Sequence, residues 1–362
     1  MVLATPLMTT RRRVLLGMAI AAAAAIATVP YHEAKAAAAT TTAELGRLEG
    51  PDRLQTLIAG AKREGQITIY SSIPLATMSE ITGAFERKYG IKVSLYRAES
   101  TQLLQRAVTE ARSGRHSVDV IETASAEVEA MERERLLQEV RLPAYGDLLA
   151  GSVKAGRGWV ASRLTVFVAA YNTNLIRPAD VPKTYRDLLL PKWKGKIAIE
   201  AENGNWLMSH AGLEGEAATT SLFKEIVAKN GMSVRRGHTL MVNLVASGEV
   251  PLGLNAYNEH VEQAKTRGAP VELLYLSPSI AMPIGASVFR RAPHPHAAIL
   301  FLDYLLTEGQ DLIGRQHMIG TNVRRVPLPA NLKLHILDVP KYVNENARWI
   351  GLYRDIFSGR PR

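Results

Sequence analysis

Hydrophobic positions in the first half of the chain follow two spacings in turn. The segment 66–70 is a β-branched, apolar run that favours a strand. Apolar residues at three- and four-residue steps from Leu75 to Tyr89 then predict a helix, which Gly90 ends. The same pairing recurs, with strands at 91–96 and 118–122 and helices after a cap at 99–101 and from Ser125 to Leu137. Strands that alternate with amphipathic helices predict an α/β fold with parallel sheets.

The pattern changes in the middle of the chain. Residues 164–171 form a nearly unbroken apolar run, which predicts a strand that is buried on both faces and passes from one domain to the next. A second α/β series follows, with strands at 196–200, 250–254, 271–276 and 286–289 and helices after Asn205, at 257–267 and at 297–306. We expect the last two strands to return toward the first unit.

Composition narrows the class of protein. The chain has 362 residues, of which 47% are hydrophobic, enough for about two domains with cores of their own. It contains no cysteine, which excludes disulfide bonds, thiol catalysis and Cys-ligated zinc. The formal net charge is +10, which favours an anionic partner. The basic residues are scattered and form no stripe with interleaved aromatics, so we expect no nucleic-acid binding.

The first 36 residues are typical of an export signal. Arg11 and Arg12 precede the apolar segment 14–29, and 34–36 has the small-x-small form that a signal peptidase cleaves. The apolar segment is shorter than the ~20 residues of a membrane span. The arginine pair favours twin-arginine export, with cleavage near Ala36. The general secretory route stays open, as does translation from Met8 instead of Met1.

Polar side chains recur where predicted strands pass into helices. Ligands of open α/β sheets bind at the carboxyl ends of strands, beside helix N-termini that suit anions. Such residues also serve as ordinary helix caps, and for any single junction that is the simpler interpretation. Together they favour a ligand cleft between two domains. The candidate binding residues are Ser71, Ser72, Thr101, Thr123, Asn203, Asn205 and Tyr257.

Motifs for catalysis are missing. The sequence has no G-x-S-x-G, Walker A, G-x-G-x-x-G or H-E-x-x-H motif, and the close pair His294 and His296 lies among prolines at a predicted helix start. An exported α/β hydrolase is the alternative class. We expect a binding protein that is not an enzyme and that needs no cofactor.

Several segments resemble the periplasmic solute-binding proteins of ABC importers, in the branch that includes ferric-ion-binding proteins. The resemblance covers almost the whole chain after the signal. The segments that carry it are 67–72, 118–122, 171–173, 185–188, 191–196, 248–250, 265–271 and 292–298.

The resemblance implies a type II fold of two α/β lobes, joined by two crossing strands that form a hinge. We expect an export signal at 1–36, lobe 1 at 37–163, lobe 2 at 164–276, a return to lobe 1 at 277–320, and a C-terminal segment at 321–362 packed on lobe 2. The implied setting is the periplasm. The implied partners are a small solute or ion and the permease and ATPase subunits of an importer, with the protein itself a monomer.

The resemblance leaves two ligands open. Ferric binders of this branch often carry two adjacent tyrosines near Tyr257 and a histidine after the first strand. Here Asn258 follows Tyr257, and Ile73 and Pro74 stand in place of the histidine. We therefore favour an anionic organic solute such as a phosphonate, phosphate ester or carboxylate. Ferric ion is the alternative, with Tyr257 as its metal ligand.

Overall fold

The computed structural model describes residues 41–153, 156, 158–328 and 332–358. The predicted export signal at 1–36 lies outside these residues. The strands are β1 Gln66–Ser71, β2 Lys92–Arg97, β3 Val120–Ala124, β4 Leu137–Gln138, β5 Val160–Asn172, β6 Ile197–Glu200, β7 Ser233–Arg235, β8 Leu252–Tyr257, β9 Val271–Leu274, β10 Ser279–Phe289, β11 Ile319–Gly320 and β12 Leu334–Ile336.

Helices separate most of these strands, as the hydrophobic spacing predicts. They are α1 Thr42–Gly46, α2 Arg53–Glu64, α3 Leu75–Tyr89, α4 Ser100–Arg112, α5 Ser125–Arg133, α6 Gly204–Glu214, α7 Glu216–Asn230, α8 His238–Ser247, α9 Asn258–Thr266, α10 Pro295–Leu306, α11 Gly309–Arg315 and α12 Val339–Phe357. Short 3-10 helices lie at Pro143–Asp147, Pro178–Asp180, Tyr185–Leu189 and Pro191–Trp193. Among the described residues, no helix is both long enough and apolar enough to cross a membrane.

Two groups of strands meet at one long strand. In the first, β2, β1 and β3 are parallel and β10 runs antiparallel to β3. In the second, β7, β6 and β8 are parallel. Strand β5 pairs with β10 over its first half and with β8 and β9 over its second half. We call the first group, with its helices, the first lobe and the other the second lobe. The chain crosses between them in β5 and again between β9 and β10. Of the two strands expected to return toward the first unit, only β10 does so, and β9 stays in the second lobe.

All residues of β5 are buried, as expected for a strand that carries no solvent face. Its side chains alternate between the two hydrophobic cores: Phe167 and Ala169 join one core, and Val166 and Val168 join the other. The strand begins at Val160, earlier than the apolar run predicts, and this extension includes the charged Arg163.

Other predicted element ends also differ from the structure, most clearly those of α5 and β10. Gly90 ends α3 in a left-handed conformation, as predicted. Helix α5, in contrast, stops at Arg133 and does not reach Leu137, because Arg135 adopts the left-handed region with φ of 60°. Strand β10 begins at Ser279, although its apolar signal is concentrated at 286–289.

The C-terminal helix contacts both lobes. Its last turns pack on α6 of the second lobe, where Gly204 lies against the backbone of Trp349 and Ile350. At its other end, Asn344 accepts a 2.8 Å hydrogen bond from Arg133 of α5 in the first lobe. Helix α12 therefore connects the two lobes outside the crossing strands.

Candidate functional site

A cavity of about 490 Å³ lies between the two lobes, at the carboxyl ends of β1 and β3. Both lobes and the crossing strand β5 contribute to its wall, as the general rule for α/β sheets predicts. Its lining comprises Ser72, Pro74, Arg97, Glu99, Ser100, Ala124, Arg163, Thr165, Thr239, Tyr257, Glu259, His260, Gln263, Met282, Ile284 and Met318. We call this cavity the cleft.

The first-lobe wall offers hydrogen-bond donors. Ser72 follows β1 and is held by a 3.0 Å hydrogen bond from its backbone N–H to the carbonyl of Glu122. Ser100 begins α4, whose N-cap residue Glu99 makes no side-chain capping bond, so the first N–H groups of this helix stay available. Arg97 adds a guanidinium, which pairs with Glu99 at 2.7 Å. This wall suits an anion.

Arg163 links the lobes by charge. Its Nε lies 3.2 Å from Oε1 of Glu122 in the first lobe, and its Nη1 lies 3.8 Å from Oε1 of Glu259 in the second. All three residues are buried. Burial raises the pKa of Glu122, and Arg163 opposes that shift. The hydroxyl of Thr165 donates a 3.0 Å hydrogen bond to Oε1 of Glu259. We call Glu122, Arg163 and Glu259 the charge triad.

Tyr257 presents a neutral phenol on the second-lobe wall. It ends β8 directly before α9. Burial raises the pKa of its hydroxyl well above the usual range, and the nearby carboxylates of Glu259 and Glu200 raise it further. The hydroxyl makes no hydrogen bond within the part of the chain that the structure describes. It is therefore available as a hydrogen-bond donor.

Two further polar atoms of this wall lack partners. The Oε2 atom of Glu259 and the Nδ1 atom of His260 are buried without a hydrogen bond. Burial also lowers the pKa of His260, which keeps its ring neutral. Buried polar atoms without partners cost free energy, so both are ready to bind a ligand group. Among the described residues, no cluster of three or more His, Asp or Glu side chains is arranged to hold a metal ion.

Sequence comparison identifies the family. Residues 67–319 match the profile of the bacterial extracellular solute-binding proteins. The chain belongs to this family. This solute-binding protein is 24% identical over 296 residues to the "Fe(3+)-binding periplasmic protein" of Serratia marcescens, a match that covers 78% of the chain and 86% of the relative. It is 23% identical over 260 residues to "Iron uptake protein A1" of Synechocystis sp., covering 67% and 71%.

Solved structures confirm the two-lobe fold. The periplasmic binding protein AfuA of Actinobacillus pleuropneumoniae, with fructose-6-phosphate bound, superposes with a TM-score of 0.66 at 23% identity. The match covers 82% of the solute-binding protein and all of AfuA. The type II periplasmic-binding-protein fold, with two crossing strands, is therefore the fold of this chain.

The sequence-derived candidates fall into three groups in this solute-binding protein. Ser72 and Tyr257 line the cleft. Ser71, Thr123, Asn203 and Asn205 are buried behind it. Thr101 is exposed on α4, and its neighbour Ser100 lines the cleft instead.

The buried group supports the wall. Ser71 donates a 3.0 Å hydrogen bond to Glu122, and Asn203 donates one of 2.8 Å to Glu200. Asn205 contacts Sδ of Met282 at 3.4 Å, so it lies one side chain behind the lining. Thr123 has a buried hydroxyl without a partner.

Arg97, Arg163, Glu259 and His260 are among the site residues that sequence reasoning missed. The apolar run that predicts β5 starts at 164, so the prediction places Arg163 just outside the strand. The available signal was a charged residue that directly precedes a long apolar run. Glu259 and His260 lie in the first turn of α9, two and three residues after Tyr257. Extending the argument from strand-to-helix junctions over this first turn would have included them.

Proposed function

We propose that this solute-binding protein captures an anionic organic solute in the cleft and, in the periplasm, passes it to the permease of an ABC importer without transforming it. The carboxylate, phosphonate or phosphate ester group would lie at the first-lobe wall. The observation that carries the proposal is that the open N-terminus of α4 lines one cavity together with Arg97 and Arg163. Guanidinium groups and helix N-termini both stabilise bound anions.

The body of the solute would meet the second-lobe wall. Tyr257 offers a donor, His260 offers a ring nitrogen without a partner, and Glu259 offers an acceptor. A solute with hydroxyl or amine groups would satisfy these atoms while its anionic group lies at the open N-terminus of α4. The cavity of about 490 Å³ has room for such a molecule.

Closure would follow from binding on both walls at once. A solute held by Ser72 and by Tyr257 stabilises the closed arrangement, because only that arrangement brings the two lobes to it. Arg163 contacts Glu122 of the first lobe and Glu259 of the second, so these two distances would change if the lobes moved relative to each other. The closed form would then dock on the permease.

Ferric ion is the second candidate, favoured by the names of the relatives from Serratia and Synechocystis. Tyr257, Glu259 and His260 carry oxygen and nitrogen donors within one turn. The residue after Tyr257 argues against ferric ion, because Asn258 stands where many ferric binders have a second tyrosine. Its side chain is buried and bonds to the backbone of Val166 and His317, at 2.8 and 3.3 Å. This residue therefore serves packing, and a single phenol remains for iron.

Mass spectrometry of the solute released from the purified protein by denaturation tests the proposal. We expect a small organic anion, which should bind again to the stripped protein in calorimetry and remain chemically unchanged after long incubation. Release of iron alone would support the second candidate. Conversion of the solute by the protein would support an exported hydrolase.

A further inference from the structure

A second cavity, of about 360 Å³, lies at the end of the first-lobe strands that is opposite the cleft. Val118, two residues before β3, and Phe289, at the end of β10, line this cavity together with Ala111 of α4. Ala124, at the other end of β3, lines the cleft. Val118 and Ala124 are six residues apart along extended chain, which separates the two cavities by about 20 Å. We call the second cavity the distal pocket.

Positive charge without acidic partners marks the distal pocket. Four arginines line it: Arg115, Arg135, Arg290 and Arg291. None of the four forms an ion pair with an acidic side chain in the described part of the chain. Arg291 instead contacts Nε2 of His116 at 3.2 Å. Because a guanidinium only donates, this ring nitrogen accepts, and His116 is neutral in that contact.

The carboxylate at the wall of the distal pocket does not offset this charge. Glu110 accepts hydrogen bonds of 2.7 Å from Ser117, 3.0 Å from Tyr70 and 2.8 Å from Arg106, so it is satisfied elsewhere. In contrast, Arg112 on the same helix and outside the pocket pairs with Glu134 at 3.3 Å. The four arginines that line the cavity therefore have no carboxylate partner among the described residues.

The backbone at Arg135 gives an independent indication. Arg135 follows α5 in the left-handed region, with φ of 60°, at a position where glycine ends many helices. A residue with a Cβ is strained there. Strain of this kind is found where a side chain has a function. Here the strained residue is one that brings a guanidinium to the distal pocket.

We propose that the distal pocket binds a second small molecule, an organic anion with an apolar body. Its carboxylate or phosphate group would lie among the four arginines, and its body would lie against Val118, Phe289 and Ala111. This site is separate from the cleft and does not depend on which solute the cleft takes. Occupation of both sites at once is sterically allowed, because the two cavities lie at opposite ends of β3.

Calorimetric titration of the purified protein with phenyl phosphate tests the proposal. We expect saturable binding that Arg135→Gln and Arg291→Gln each weaken about tenfold or more, since each removes charged hydrogen bonds to the anion. Ala111→Leu should weaken it similarly by filling part of the pocket. Inorganic phosphate and benzyl alcohol, which each lack one half of the ligand, should bind much more weakly.

Two substitutions away from the distal pocket serve as controls. Arg87→Gln removes an exposed arginine of the same lobe, and Tyr257→Phe alters the cleft; both should leave distal binding within about twofold. Arg135→Gly relieves the strained backbone, so it should melt no lower than the parent protein and still lose binding. Binding that survives all the distal substitutions, binding that Tyr257→Phe abolishes, or equal affinity for inorganic phosphate would overturn the proposal.

Discussion

The imidazole ring of His238 stacks on the phenol ring of Tyr257, with centroids 3.5 Å apart and planes inclined by 20°. Nδ1 of His238 lies 2.9 Å from the carbonyl oxygen of Asn255, so Nδ1 carries the proton. Asn255 in turn donates a 3.2 Å hydrogen bond to the hydroxyl of Tyr353 in α12. Contacts that begin at the C-terminal helix thus fix the orientation of the phenol in the cleft.

Tyr257→Phe tests the role of this phenol. If the solute is an organic anion, the substitution removes one donor and should weaken binding by roughly 0.5–3 kcal/mol in calorimetry. Tyr275→Phe, a second-lobe tyrosine outside the lining, is the control. Should the cleft hold ferric ion through the phenolate, the loaded protein would be coloured and the Phe variant colourless, which would contradict our preference.

Ser72→Ala and Ser100→Ala remove hydroxyls from the first-lobe wall. Each should weaken solute binding by about 1 kcal/mol, whereas Thr101→Val on the exposed side of α4 should not change it. Affinities from calorimetry, with melting temperatures as a check on folding, measure this difference. A larger effect at Thr101 than at Ser72 would place the anion elsewhere.

Arg163→Met breaks the charge triad. It leaves the carboxylates of Glu122 and Glu259 buried without their cation, so unfolding should need about 3–5 kcal/mol less free energy. In a Glu122→Gln background the same substitution should cost less, because one of the two charges is already absent. Urea unfolding of the four proteins gives the coupling. Strictly additive losses would show that Arg163 and Glu122 are energetically independent.

Buried histidines predict a loss of stability in mild acid. Burial lowers the pKa of His238 to about 4 and that of His210 to about 3, below the value near 6.5 of the unfolded chain. The unfolded state therefore binds more protons below pH 6.5, and stability falls as the pH falls toward 4. Between pH 7 and pH 4.5, the free energy of unfolding of His210→Leu should fall by about 2 kcal/mol less than that of the parent protein. An unchanged slope would show that His210 is protonated in the folded protein.

Gly204 and Gly212, both on α6, form a matched pair. A Cβ at Gly204 would lie 2.9 Å from the backbone nitrogen of Ile350 in α12, whereas one at Gly212 would meet nothing within 4 Å. Gly204→Ala should therefore lower the free energy of unfolding by about 1–3 kcal/mol. Gly212→Ala should raise it by about 0.5–1 kcal/mol, since alanine favours the helix. Thermal melting of both variants measures the contrast.

The spacing of hydrophobic residues along the chain was enough to predict most helices and strands. It also placed the cleft at the carboxyl ends of the strands. Ser72 and Tyr257 were found because strand ends can be read from neighbouring residues. The charge triad could not be found in this way. Its members come from β3, β5 and α9, which meet only after the long strand has paired with both lobes. The end of α5 was missed for a local reason, because arginine stands where glycine signals such a stop.

The contacts of helix α12 with both lobes would affect how strongly every solute binds, but not which solute binds best. The helix bonds to α5 of one lobe and packs on α6 of the other. If the lobes close on a solute, these contacts would change the free-energy difference between the open and closed forms without meeting the solute. The apparent affinity for a solute scales with the fraction of molecules in the binding-competent form. Substitutions of α12 residues that contact the first lobe and not the Tyr257 chain, such as Asn344, would thus multiply the dissociation constants of all solutes by a common factor and leave their ranking as it is.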